Sequence, residues 1–300
     1  ANNGITPDQY TLDAQMKGKQ YIYGGQVNFT YRILDCLSAA VGFRANYYDG
    51  YYRGHVVAAN HPQLGDLAKL LLDVDQKGWG VTPIISLNYH QGPLTLAARY
   101  EFRTKLNPKN ETNILEAELG PGVIAVLQQT NPAALQTIAS TLSTYTTPYQ
   151  DGVRTRYDMP SLLSVAAGYE FTPKLRATLE YHFFDDKNAK MGGDRQKTLD
   201  HGTHEVLCGV EYDINQKWTV SCGAQHTDYG VTDDYQQNTS FACDSWSIGL
   251  GGAWNVTDKL RLNAGYFISI YSDYDKQASY GLETYSRSNN VIGIGVDYKF

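Results

Sequence analysis

Apolar and polar positions alternate with a period of two through most of this chain. Tyr21, Tyr23, Val27, Phe29, Tyr31 and Ile33 are interleaved with Gly24, Gln26, Asn28, Thr30 and Arg32. After a short turn around Asp35, Leu37, Ala39, Val41, Phe43, Ala45 and Tyr47 alternate with Ser38, Ala40, Gly42, Arg44 and Asn46. The pattern returns at 79–89, 94–102, 163–171, 175–183, 206–212, 218–224, 246–256, 260–270 and 291–300. A period of two places successive side chains on opposite faces of a strand. The chain therefore predicts eleven strands, each apolar on one face and small or polar on the other. The last ten residues show it most plainly: Ile292, Ile294, Val296, Tyr298 and Phe300 stand against Gly293, Gly295, Asp297 and Lys299.

The connections sort by parity. Every second one is a turn of a few residues, such as Thr172-Pro173-Lys174, Asn215-Gln216-Lys217 and Thr257-Asp258-Lys259. The others are long, at about 49–78, 106–152, 184–203, 229–243 and 272–288. Short turns on one side and long loops on the other, joined by strands close to the ~9–11 residues that cross a bilayer, are the signature of a bacterial outer-membrane barrel. The expected fold is all-β, a transmembrane antiparallel up-and-down β-barrel forming a single domain over 1–300. Eleven is an odd number, and an open edge in lipid leaves costly unpaired backbone groups. Further strands are expected ahead of residue 1. Phe300 is expected at the periplasmic rim as the assembly signal.

Composition fits this picture. No run approaches the ~18 apolar residues of a membrane helix, but in a barrel the two faces cancel in any window. The 24 tyrosines among 300 residues suit membrane–water interfaces. The net charge of −6 argues against nucleic acid as a partner. Cys36, Cys208, Cys222 and Cys243 form no C-x-x-C and no metal-like spacing with histidine, so they are expected as free thiols or small apolar fillers.

Two loops carry helical spacing. Within 62–76, Leu64, Leu67, Leu70, Leu71 and Val74 follow it. Within 111–146, Ile114, Leu115 and Leu119 precede Gly120-Pro121-Gly122, and Val123, Ile124, Val126, Leu127, Leu135, Ile138 and Leu142 continue, broken at Asn131-Pro132. Short helices are expected in both loops, with apolar surface that either caps the barrel mouth or binds something.

Catalytic and metal motifs are absent by pattern. His201-Gly202-Thr203-His204-Glu205 is not H-E-x-x-H, and no helix follows the glycines at 249, 251 and 252. Asp185-Asp186 and Asp233-Asp234 are expected as solvated loop charge. His182, Glu180, Ser247 and Ser269 face inward, but nothing in the sequence assembles them into a nucleophile and base. No enzyme activity, cofactor or metal is expected. The inward charges Arg44, Arg99, Glu101, Arg103, Arg176, Glu180, His182, Arg261, Asp297 and Lys299 are expected to pair and stiffen the wall, or to meet an anionic head group.

The order of segments resembles the FadL family of outer-membrane transporters for long-chain fatty acids and other hydrophobic compounds. The resemblance rests on the 27–31 and 37–48 hairpin, Gly78-Trp79-Gly80, Met159-Pro160 opening a strand that ends Gly168-Tyr169, and the 291–300 terminus. It implies a 14-stranded barrel with an N-terminal hatch, the eleven strands here being the fourth to the fourteenth. It implies helical extracellular loops at 49–78 and 106–152. It also implies a ligand-capture groove that would involve Leu67, Leu70, Leu71, Val74, Ile114, Leu115, Val123, Ile124 and Leu127. Arg53, Lys197 and His201 are the nearest basic candidates for a ligand head group. The function implied is passive uptake of hydrophobic small molecules such as long-chain fatty acids, with lipid or detergent as lumenal occupants and outer-membrane lipid around the wall. The alternatives are a barrel that holds a protein partner at its rim, and a general porin.

Overall fold

The computed structural model describes residues 10–237, 240–278 and 281–299. The long chain of alternation becomes β1 (Thr11–Leu34), β2 (Leu37–Ala59), β3 (Ala68–Gln91) and β4 (Leu94–Glu101). β5 (Lys109–Leu119), α1 (Pro121–Thr130) and α2 (Pro132–Thr146) fill the second long connection. Then come β6 (Leu162–Thr172), β7 (Leu175–Phe184), β8 (Thr203–Asp213), β9 (Trp218–Asp228), β10 (Ser245–Asn255) and β11 (Leu260–Tyr271). β12 (Tyr274–Ala278) and β13 (Gly281–Tyr285) precede the last strand, β14 (Ser288–Tyr298). The eleven expected strands lie side by side in chain order, β1-β2-β3-β4-β6-β7-β8-β9-β10-β11-β14, with β5 added beside β3 and β12–β13 a separate hairpin. The architecture is the all-β, up-and-down type expected. Phe300 lies outside the described residues.

One expectation is overturned. Residues 62–76 form no helix: from Ala68 onward they are the start of β3, and β2 runs up to Ala59 to meet it. Leu70, Leu72, Val74 and Gln76 alternate as well as Leu67, Leu71 and Val74 follow a helix. Pairing with β5, where Leu72 faces Leu115 and Leu70 faces Ala117, decides between the two periods. Ile114 and Leu115 likewise belong to β5 rather than to a helix. The helices expected after Gly120 are present as α1 and α2.

Contacts divide the chain into two compact units. The first holds residues 1–25, 45–81 and 105–157; the second holds 26–44, 82–104 and 158–300. In the first, Gly120 and Gly122 let the β5–α1 junction press on the turn before β3. A Cβ on Gly122 would overlap the Leu64 carbonyl, and one on Gly120 would overlap the Asp66 carbonyl. The core of this unit is polar as well as apolar. Leu106, Pro108 and Asn110 are buried alternately and pair with Tyr157, Thr155 and Val153. The Asn110 amide donates to the carbonyls of Pro148 (2.7 Å) and Gln150 (3.1 Å) and accepts from Gln76 Nε2 (2.8 Å). Asn110→Ala takes this partner from the Pro148 carbonyl and the Gln76 amide, while the Gln150 carbonyl keeps the Val153 amide; burial without a partner costs about 1–3 kcal/mol per group. The expected result is release of the helical insert, read as faster protease cleavage within 120–150 while the remaining strands stay resistant.

In the second unit the two faces of the sheet differ as the sequence requires. On β10, Trp246, Ile248, Leu250 and Trp254 are exposed on one face. Ile292, Ile294, Val296 and Tyr298 of β14 are exposed likewise. The Trp218 and Trp254 rings stack at 5.4 Å, and Trp246 packs on His226 at 4.5 Å. Trp246 and Trp254 are eight residues apart on one face. At ~3.4 Å per residue and a tilt of ~40°, they mark a band roughly 20 Å tall, the scale of a barrel's apolar belt.

The four cysteines are free and sample different surroundings. Cys208 and Cys222 are exposed on this same apolar face, with Cys208 opposite Ala224 and Cys222 opposite Val210. They are diagonal neighbours at a typical ~7–8 Å, beyond disulfide reach. In membranes both are expected to react with a lipid-soluble maleimide and to resist a charged one. Equal labelling by both reagents would contradict a lipid-facing surface.

Candidate functional site

The face opposite the exposed apolar one holds the candidate site. Register aligns small residues across successive strands of the second unit. Gly209 of β8 faces Gly223 of β9, which faces Gly249 of β10; Gly249 then faces Phe267 of β11, and Phe267 faces Val291 of β14. A second row runs Ser221, Gly251, Gly265 and Gly293. Where neighbouring strands both lack side chains, the wall is hollowed to its backbone. The result is a recess of about 580 Å³, bounded by Thr178, Phe267 and Val291, with Arg176 and Glu211 at its short-turn end. The sequence shows these glycines singly; only the register assembles them.

Much of the charge on this face is paired. Glu101 takes Arg44 at 2.9 Å and Arg99 at 2.5 Å. Arg176 binds both Glu211 and Asp213, the latter at 2.7 Å. Asn263 donates to Asp297 at 2.7 Å and accepts from Arg261 at 3.1 Å. His182 lies between Glu205 (3.2 Å) and Glu180 (3.5 Å). Arg103 reaches Asp158 at 3.7 Å and donates to the Asn188 carbonyl at 2.6 Å. These pairs fit the wall-stiffening role expected for the inward charges. Ser247 and Ser269 bond each other at 2.7 Å. His182 on β7 is three strand spacings from Ser247 on β10, roughly 14 Å, too far for a nucleophile and its base.

The long loops of the second unit are knitted together. Arg195 lies over the Tyr235 ring at 4.2 Å and donates to the Tyr235 carbonyl at 2.7 Å. Thr232 donates to the Thr198 carbonyl, and Lys276 to the Gln236 carbonyl. Tyr274 donates to Asp233 at 2.8 Å; burial and then that carboxylate push its hydroxyl up to about 12. Asp233 and Asp186, which accepts from the Thr203 amide at 2.9 Å, are thus loop fasteners rather than bare solvated charge.

The residues expected to capture ligand do not form one patch. In the first unit, Leu70, Val74 and Leu115 share one face of the β3–β5 pair, while Leu71 and Ile114 lie on the other. Leu67 and Val74 are buried. Val123, Ile124 and Leu127 form the half-buried face of α1. Around them, residues 119–150 carry no charged side chain, although much of α1 and α2 is exposed. The basic candidates are already engaged. Arg53 binds Asp73 (3.0 Å) and Asp75 (3.1 Å). Lys197 binds Asp194 at 2.5 Å, which holds that carboxyl below the usual range. His201 donates from Nδ1 to the Gly202 carbonyl at 2.8 Å and faces Asp228 with Nε2 at 3.7 Å.

A model of the outer membrane protein β-barrel domain matches residues 122–300. The chain belongs to that family. Its location is therefore the bacterial outer membrane, and the apolar face with its tryptophan borders is the lipid-facing wall of an outer-membrane β-barrel domain. Among solved structures, a Pseudomonas aeruginosa FadL homologue matches with a TM-score of 0.66 at 13% identity, over 94% of this chain and 68% of its own. The CymD monoaromatic hydrocarbon channel matches at 0.60 and 10% identity, over 97% and 78%. The Ralstonia pickettii toluene transporter TbuX matches at 0.52 and 12%, over 97% and 78%. At such identities the likeness is one of fold, and the fold is FadL-like. No curated protein matches the sequence.

Proposed function

We propose that this protein is an outer-membrane channel for passive uptake of hydrophobic small molecules. The observation that carries the reading is the recess between Thr178 and Phe267, where the lumenal wall is stripped to backbone and its charges are held in pairs beside it. Neutralised charge and missing side chains favour an apolar solute that must bind weakly enough to leave. The FadL-like fold, shared with channels described as carrying toluene and monoaromatic hydrocarbons, supports the same class. No catalytic role is assigned. Long-chain fatty acids remain part of the proposal, as does lipid or detergent in the lumen. A carboxylate head group would have to displace an acid from Arg53, Lys197 or His201.

Capture is assigned to the uncharged insert, with Val123, Ile124 and Leu127 of α1 as its apolar face. The test is uptake of a labelled hydrophobic solute by cells that lack their own channels of this kind. Val123→Asp with Leu127→Asp is expected to slow uptake several-fold at low solute concentration and little at saturation. Leu71→Asp, on the opposite face from Leu70, is the control expected to change neither. Uptake no faster than in cells without the protein would overturn the reading.

A further inference from the structure

The exposed face of the first unit's strands carries a basic patch that the uptake reading does not use. In β3 the residues alternate: Gln76 and Gly78 are buried, while Lys77 and Trp79 are exposed. Trp79 opens the exposed apolar run of β3, followed by Val81, Ile85 and Leu87; Tyr47 closes that of β2, after Val41 and Phe43. The two rings pack at 4.7 Å, yet Trp79 remains 70% exposed. An aromatic pair that ends two such runs is where a barrel wall meets polar head groups. β3 runs from here to the tight turn at Gly92, so this border is on the side of the long connections, the extracellular one. The first residue beyond it on the same face is Lys77, opposite Lys109 of β5. Lys109 in turn bridges Arg154. The segment 105–109 alternates like β3, with Leu106 and Pro108 buried and Lys105, Asn107 and Lys109 exposed. Lys77, Lys105, Lys109 and Arg154 thus gather beside one aromatic border, all within the first unit.

Nearby carboxylates do not balance this patch. Glu111 is taken by Lys77 at 2.7 Å, and Asp151 accepts the Thr112 amide at 3.1 Å. Arg154 donates from Nη1 to the Asn107 carbonyl at 3.1 Å, a neutral partner. Among the described residues neither Lys105 nor Lys109 has an ion-pair partner. Excess positive charge at an aromatic border fits an amphiphile whose anionic head meets the cations while its chains lie along the apolar wall. Phosphate suits the pair of ammonium groups and the guanidinium fork. We propose that Lys105, Lys109 and Arg154, beside Trp79 and Tyr47, hold the phosphorylated head group of an outer-leaflet lipid. The site is independent of the uptake reading above.

The test measures binding of fluorescent diphosphoryl lipid A to the whole purified protein in a neutral detergent. Binding that weakens with added salt is expected. Lys109→Gln with Arg154→Gln is expected to weaken it roughly thirty-fold, the loss of two cationic contacts to an anionic head group. Both side chains are exposed, and heat-modifiable migration on gels confirms that the variant is folded. Lys217→Gln with Lys259→Gln makes the same change of charge at the short turns and is expected to leave binding unchanged. Absence of binding, equal weakening by the two pairs, or equally tight binding of dephosphorylated lipid A overturns the proposal. Glucosamine 6-phosphate carries a phosphate without acyl chains and is expected to compete only at far higher concentration. Competition by it at equal concentration makes the patch a free-phosphate site and overturns the lipid assignment.

Discussion

Uptake of hydrophobic solute is expected to fall to the level of cells without the protein when Gly249 and Gly293 are both replaced by phenylalanine. The two positions are chosen because the wall can accept a side chain there. A Cβ on Gly293 has nothing within 4 Å, and one on Gly249 makes ordinary contact with Phe267 at 3.5 Å. Gly251 is different: its Cβ would press on the Ser221 hydroxyl at 2.5 Å, so substitution there requires the Ser221 side chain to turn away. The double variant therefore folds but fills the recess with two rings. Gly249→Ala adds one methyl at ordinary van der Waals distance from Phe267 and is expected to leave uptake within about twofold, since overpacking is felt only where atoms are forced closer than that. The measurement is the initial rate of uptake at matched amounts of folded protein in the outer membrane. Undiminished uptake in the double variant would place the solute path elsewhere.

The contrast between Gly249 and Gly251 shows what the sequence carried and what it did not. Period-two alternation located all eleven consecutive strands because each must separate lipid from lumen residue by residue, and this separation is local. The extent of β2 and β3 was not local. Leu64, Leu67, Leu70, Leu71 and Val74 satisfy a helical period, and only the β5 partner, with Leu115 against Leu72, selects the strand. β5 itself hides behind Lys109, Glu111, Glu116 and Glu118, whose charges include the partners of Lys69 and Lys77 on β3. The helix of the second loop was legible because Gly120-Pro121-Gly122 and Asn131-Pro132 punctuate it, and Asn131 does cap α2 through the Ala134 amide at 3.1 Å. The recess was illegible for another reason. Gly209, Gly223 and Gly249 lie on three strands, and their alignment is a property of register, which depends on every turn between them. The partners of the basic candidates were illegible in the same way: the sequence places Arg53 near a strand end but cannot show Asp73 and Asp75 two residues apart on the next strand, both within reach.

Leu250 stands one residue from Gly249 and faces the other way, and it provides the sharpest test of where lipid lies. It is midway between Trp246 and Trp254 on the exposed face of β10, at 63% exposure. On a water-facing surface, replacing so exposed a leucine by arginine changes stability little. At the middle of a bilayer, the same change on the lipid face of a barrel costs about 2–4 kcal/mol, because the guanidinium must be drawn from water into hydrocarbon or must drag lipid head groups inward. Leu250→Arg is therefore expected to lower the unfolding free energy in lipid vesicles by that amount. Trp218 and Trp254, stacked at the short-turn border, provide a tryptophan signal for the transition. Leu250→Ala separates the loss of apolar contact from the cost of charge and should give only part of the loss. Ser221→Arg, on the lumenal face of the neighbouring strand, carries the same charge into water and is expected to cost much less. If Leu250→Arg and Ser221→Arg destabilised equally, the two faces of the wall would not differ in solvent, and the assignment of lipid to the Trp246–Trp254 face would be lost.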